Sequence, residues 1–238
     1  MNLYNLALSG LNASQAGLET TSHNINNQTT VGYTRQRVLT STAGATATGQ
    51  GFVGRGVKVD TIERQYDSFL YRQLVGSRGT GAEYSTHLDQ LSQINDFLSD
   101  RTVGITPALN DFFTSINSAA SSPADPAVRQ DLLGKANSLA TQLNSAYREL
   151  QNQRDGLNTQ ISTTVEQVNS YLDRINDLNQ QIVIAQGKSG QPANDLLDQR
   201  DQAVSELNEL VGIRFYEQNG SVSITLQGGQ TLLSGVTV

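Results

Sequence analysis

The chain has 238 residues and a net charge of −6; 37% of its residues are hydrophobic and 6% aromatic, with no Trp and no Cys. That is enough for one or two domains with a real core, though narrow apolar stripes on long helices suit it better than thick layers. The lysines (Lys58, Lys135 and Lys188) form no basic run, which argues against nucleic acid, and the missing thiols exclude disulfides and zinc–thiolate or thiol chemistry.

From the N-terminus, Tyr4, Leu11, Leu18 and Ile25 recur every seventh residue, with small Ala7, Ser14 and Thr21 offset by three. This is a coiled-coil seam on a helix that has little other apolar surface. Gly10 and Gly17 each cost it about 1 kcal/mol against alanine. So thin a helix barely forms alone in water, because nucleation is costly. The pattern therefore predicts a helix that needs a partner surface. No charged n-region with an apolar run follows Met1, so no cleaved signal peptide is expected. No stretch approaches the ~20 apolar residues of a membrane span, and membrane insertion is not expected either.

The polar run His23-Asn24-Ile25-Asn26-Asn27 up to Gly32 should stop the first helix. Two readings stay open for it. One is a generic helix stop; the other is a hydrogen-bond-rich patch, including Tyr33, beside the apolar seam. Residues 41–56 are small and Gly-rich and read as an extended or mobile connector. Val57-Lys58-Val59 then alternates like a short strand. Ile62, Tyr66, Phe69, Leu70 and Leu74 restore helical spacing, and Gly76, Gly79 and Gly81 predict a break. Another helix follows through Leu88, Leu91, Ile94 and Leu98, and Pro107 opens a short one with Phe112, Phe113 and Ile116.

From about Ala127 to Gln186 there is no proline, and two interleaved heptad positions persist. Leu143, Leu150, Leu157, Tyr171 and Leu178 mark one; Tyr147, Ile161, Val168, Ile175 and Ile182 mark the other. A register held this long predicts a single helix of roughly 90 Å, packed along others as the core of a helical rod. Asn194 is placed to cap a last helix through Leu196, Leu197, Val204, Leu207 and Leu210. Past Gly212 the period becomes two, and Asn219-Gly220 signals a β-hairpin. The expected fold is mainly α: an elongated bundle of long antiparallel coiled-coil-like helices, an N-terminal helix/loop arm and a small hairpin near the C-terminus. Its parts would be 1–36 for assembly, 37–60 as connector, 61–211 as helical rod, and 212–238 as the opening of a β-rich domain.

Several patterns that imitate chemistry carry none. Gly49-Gln50-Gly51-Phe52-Val53-Gly54 matches the dinucleotide fingerprint, but a strand-like segment rather than a helix follows it, so no cofactor is expected. Asp195, Asp198 and Asp201 recur every three residues beside Arg200, which favours a salt-bridged helix face over paired acid–base carboxylates. His23 and His87 lack a second ligand at metal spacing. Asn12-Ala13-Ser14, Asn27-Gln28-Thr29 and Asn219-Gly220-Ser221 match the glycosylation triplet, which means little without a secretory signal. An enzyme is not expected.

One resemblance covers essentially the whole chain. Ser9-Gly10-Leu11, Asn24-Ile25-Asn26-Asn27 and Thr30-Val31-Gly32-Tyr33-Thr34-Arg35-Gln36 resemble the N-terminal motif of bacterial flagellar rod, hook and hook-associated proteins. Gly56 to Arg64 looks like the segment that follows it there. Pro123, Asp125, Arg129 and Asn194-Asp195-Leu196-Leu197-Asp198-Gln199-Arg200-Asp201 narrow the likeness to the hook-associated protein 1 family of hook–filament junction proteins. The resemblance implies a secreted, non-enzymatic adaptor of the flagellum, exported through the type III route without a cleaved signal. Its implied partners are other copies of itself in a ring, the hook protein, the second junction protein, and the export apparatus and chaperone of the full-length family. Tyr4, Leu11, Leu18, Asn24, Ile25, Asn26, Asn27, Gly32 and Tyr33 would form the assembly interface. Family members are longer, which makes an N-terminal portion the expectation here. Another rod- or hook-type axial protein, or a secreted coiled-coil protein, is the alternative.

Overall fold

The computed structural model describes residues 3–99 and 104–235, with the side chain of Leu98 outside the described set. The first helix, α1, is Leu3–Asn26. Four strands follow: β1 Gln36–Thr42, β2 Ala45–Thr48, β3 Gly51–Gly54 and β4 Val57–Arg64. Then come the helices α2 Ser68–Ser99, α3 Ile105–Ser121, α4 Pro126–Ser189 and α5 Asn194–Leu210, and the strands β5 Ile213–Gln218, β6 Ser221–Leu226 and β7 Thr231–Leu233. The chain is mainly helical, as the periodicity predicts, and α4 is the single long helix of the heptad run. Two compact units divide it, Met1–Thr80 with Gln167–Val238, and Gly81–Glu166.

In the first unit the core lies where the last turns of α4 meet α5 and the sheet β5-β6-β7. Leu172, Ile175, Leu178 and Ile182 of α4, Val204 and Leu207 of α5, and Val222, Ile224 and Leu233 of the strands are buried. The Asn-Gly signal is a true hairpin turn: Asn219 and Gly220 take φ of 53° and 78°, the left-handed pair a two-residue turn requires. A third strand, β7, adds to the expected hairpin along β6.

In the second unit, Asp125 caps α4 by accepting the Ala127 amide at 2.8 Å, and Pro126 occupies the first helical position, where its missing N–H costs nothing. Lys135 of α4 pairs with Asp111 of α3 at 2.7 Å. Gly104, Ser115 and Ala146 are its buried residues among those described.

Four local expectations give way. Residues 37–60 are not a connector with one strand. They form an outer ladder β1–β4 and an inner hairpin β2–β3, both antiparallel, so the glycines serve turns rather than slack. Ile62 lies in β4 opposite Val38, and α2 starts only after Asp67, whose carboxylate accepts the Phe69 and Leu70 amides as an N-cap. No break occurs at residues 76–81, where α2 runs straight through. Gly79 is there for proximity: a Cβ would strike the Asn208 side chain and sit 3.0 Å from its backbone oxygen. Finally, Asn194 is not a cap. Ala193 holds that position without a side-chain bond, while the Asn194 amide donates to Ile62 O at 2.8 Å and Gln36 Oε1 at 3.2 Å.

Candidate assembly site

Two faces of α1 differ sharply. Ser9, Gly10, Ala13, Ala16, Gly17, Thr20, His23 and Asn24 lie on its more covered side, the side of the β1–β4 ladder. Small side chains permit close approach there: Ser9 Oγ accepts the Val57 amide at 3.3 Å, and a Cβ on Gly56 would collide with the same hydroxyl. The heptad residues point elsewhere. Tyr4, Leu11, Leu18 and Ile25 are 68%, 65%, 72% and 59% exposed. One face of α1 thus packs within the chain, closest where Ser9 meets Gly56, while its apolar stripe stays open; a Cβ on Gly10 or Gly17 would meet nothing within 4 Å.

The polar run after the stripe is built like a clasp. Asn24 accepts the Gln36 amide on Oδ1 at 2.8 Å and donates from Nδ2 to the Gln36 carbonyl at 2.9 Å. Tyr33 donates its hydroxyl to the same Oδ1 at 2.7 Å, and His23 Nδ1 meets the Tyr33 oxygen at 2.9 Å. Asn27 closes the helix end, its Nδ2 donating to His23 O at 3.0 Å, while Asn26 is exposed. Gly32 turns the chain at φ 81° against the Gln202 side chain, where any Cβ would be 3.0 Å from two of its atoms. So Asn24, Asn27 and Tyr33 meet around His23 in one network, Gly32 turns the chain beside it, and Asn26 and Ile25 are exposed.

A buried ion cluster fixes this clasp to α5. Thr34 donates its amide to Asp198 at 2.9 Å, and Arg64 Nη1 bridges Asp198 and Asp201, each at 2.8 Å. Arg64 also stacks over the Tyr66 ring, 4.5 Å from its centroid, and Tyr71 donates its hydroxyl to the Asp201 carbonyl. Burial works against the Arg64 charge, yet Asp201 and Asp198 hold its pKa above the usual value. Burial pushes Asp201 up despite both arginines nearby. The Tyr66 and Tyr71 phenols are raised by burial first and by the Asp201 charge second. Arg200, 1% exposed, donates to Gly220 O and to Glu217, both at 2.8 Å, which ties α5 to the β5–β6 turn. Of the aspartate triplet, Asp198 and Asp201 are ion-paired with Arg64, while Asp195 is exposed and accepts from the Gln36 side chain at 3.0 Å. Among the described residues no group of three or more His, Cys, Asp or Glu could hold a metal ion.

The positions named along α4 divide. Ile175, Leu178 and Ile182 are buried, and Val168 and Tyr171 are partly covered. Leu143, Tyr147, Leu150, Leu157 and Ile161 are exposed. The more covered side of that stretch carries Leu132, Leu139 and Ala146 instead. Sequence reasoning missed Arg64, Gln36 and Ser9 as organising residues. All three lie inside the matched motifs, but a serine, glutamine or arginine on its own signals no specific contact.

The comparisons with known proteins agree with one another. Residues 91–238 match the family model described as "Flagellar hook-associated protein FlgK helical domain". Flagellar hook-associated protein 1 of Salmonella typhimurium is 41% identical over 99% of this chain, and that of Bacillus subtilis is 32% identical over 94%. The chain spans 43% and 44% of those two relatives. A solved structure, the flagellar hook junction protein FlgK from Burkholderia pseudomallei, is similar with a TM-score of 0.61 and 38% identity, over 69% of this chain and 29% of that one. With a family match over most of its length on residues that build α3, α4, α5 and the C-terminal sheet, the chain belongs to the flagellar hook-associated protein FlgK family.

Proposed function

We propose that this chain acts as a structural adaptor of the bacterial flagellum, joining hook to filament and presenting a surface on which the filament is built. The observation that carries the reading is the open stripe of α1, where Leu11 and Leu18 stand bare on a helix whose other face is already packed. A helix held on one side and left apolar on the other is a prepared half of a helix–helix interface. Copies of the chain would line up in a ring through this surface, with the hook protein on one side and the second junction protein on the other. Export through the flagellar type III route, with its chaperone, would precede assembly. No catalytic step belongs to this role, and the Asp198–Arg64–Asp201 cluster holds the assembly helix in place rather than processing a substrate.

The test is Leu11→Asp with Leu18→Asp in the natural gene product, in cells whose own copy is deleted. Incorporation at the hook tip and swimming should be lost, while the α4–α5 core of the purified variant melts as in the unaltered protein. Normal filament growth with both aspartates in place would overturn the reading.

A further inference from the structure

The clasp dictates where one proton sits. Asn24 cannot flip, because the Gln36 N–H needs its oxygen and the Gln36 carbonyl needs its nitrogen, at 2.8 and 2.9 Å. The Tyr33 hydroxyl therefore spends its single proton on Asn24 Oδ1 at 2.7 Å. Its oxygen can then only accept from His23, so Nδ1 of that ring, 2.9 Å away, carries the hydrogen. Burial, with Asp195 and Asp198, raises the Tyr33 pKa, which keeps the phenol protonated and the logic intact.

In the neutral ring this leaves a bare lone pair on Nε2. It faces Asp195 Oδ2 at 4.0 Å, too far for a hydrogen bond and of the wrong sign for attraction. His23 lies in the last turn of α1 and Asp195 in the first turn of α5, so both helix dipoles favour a positive imidazole and a negative carboxylate there. Arg174 of α4 and Asp198 of α5 line the same cavity, the first opposing a charged ring and the second favouring it. Asp195 is already oriented, since the Gln36 side chain donates to its other oxygen at 3.0 Å.

We propose that His23 is a proton-operated clamp, held as its Nδ1–H tautomer when neutral and drawn onto Asp195 when Nε2 takes up a proton, so that the end of α1 tightens against α5 in acid. The sign follows from the charge gained. Opposite charges at this spacing attract and a neutral ring beside a carboxylate does not, so the closing contact belongs to the charged ring alone. The clamp goes beyond the adaptor role, because it makes the seating of the assembly helix depend on acidity.

Long-range proton–nitrogen correlation spectra of the full chain test it directly. At pH 8 the His23 signals should show a protonated Nδ1 and a bare Nε2, the reverse of the tautomer free histidine prefers. Tyr33→Phe should restore the ordinary tautomer. Amides at the end of α1 and the start of α5, corrected for intrinsic rates, should exchange about threefold more slowly at pH 5 than at pH 8, the size expected of one partly exposed pair at helix ends. Asp195→Asn should abolish that difference while the pH 8 tautomer stays as it was. An Nε2–H ring at pH 8, or an unchanged pH effect in Asp195→Asn, would overturn the clamp.

Discussion

Two stretches of α4 carry the same heptad register and meet opposite fates. Ile175, Leu178 and Ile182 are buried, Ile175 in one cluster with α5 and the C-terminal sheet, whereas Leu143, Tyr147, Leu150 and Ile161 stand exposed. The apolar period of the first stretch is interrupted between Leu143 and Ile161 only by Arg154. What differs is whether the chain supplies a segment to cover the stripe, as it does with α5 and β5–β7 in one unit. A heptad pattern therefore specifies a helix with a sticky face, and burial is decided by sequence elsewhere.

The sharpest way to test the contrast is with charge. Arg64→Leu leaves Asp198 buried without its counter-ion and Asp201 with only Arg200 at 3.9 Å, and should cost about 3–5 kcal/mol in urea denaturation. Lys135→Met, which removes the exposed pair with Asp111 in the other unit, should leave the midpoint essentially unmoved. An equal loss in the two variants would break the comparison.

Next in size are the α4 side chains themselves. Ile175→Ala opens a cavity in a filled core and should cost about 3 kcal/mol, while Ile161→Ala should stay within about 0.5 kcal/mol, as surface substitutions usually do. A large cost at Ile161 would mean that its stripe finds cover in solution, and concentration-dependent sedimentation would then show self-association.

The smallest contrast uses glycine. Gly79→Ala drives a methyl into Asn208 and should destabilise by about 1–3 kcal/mol through overpacking. Gly134→Ala, on α4 with open space around it, should instead raise stability by up to about 1 kcal/mol, because alanine is the better helix former. If both glycines behaved alike in thermal melts, the close approach of α2 to Asn208 would be refuted.

These residues also explain what the sequence disclosed. The span of α4, the Asn-Gly hairpin and the end of α1 were legible because each rests on a local rule: a period, a turn conformation, a helix stop. The glycines of α2 were misleading because the same residue marks a break or a close contact, and only Asn208, far along the chain, distinguishes them. Residues 41–56 looked slack because their strands pair with one another and carry almost no apolar alternation; all residues of β2 and β3 are exposed. In the candidate site the motif residues Asn24, Gly32 and Tyr33 were found through a family likeness. Gln36 and Asp198 also lie in matched motifs, but their pairings were not legible, since Gln36 joins Asn24 through its backbone and Asp198 reaches Thr34 across 164 positions of sequence.

The side chain of Asn24 deserves a last consequence. By taking both polar groups of Gln36, it imitates a neighbouring strand one residue long at the start of β1. Asn179 does the same for Val222 of β6, accepting its amide and donating to its carbonyl, each at 2.9 Å. A strand whose outward groups are already occupied offers no template there for a foreign strand to extend. At Gln36 that edge is stoppered, whereas Val222 lies on the central strand of its sheet, where the Asn179 side chain ties β6 to α4 instead.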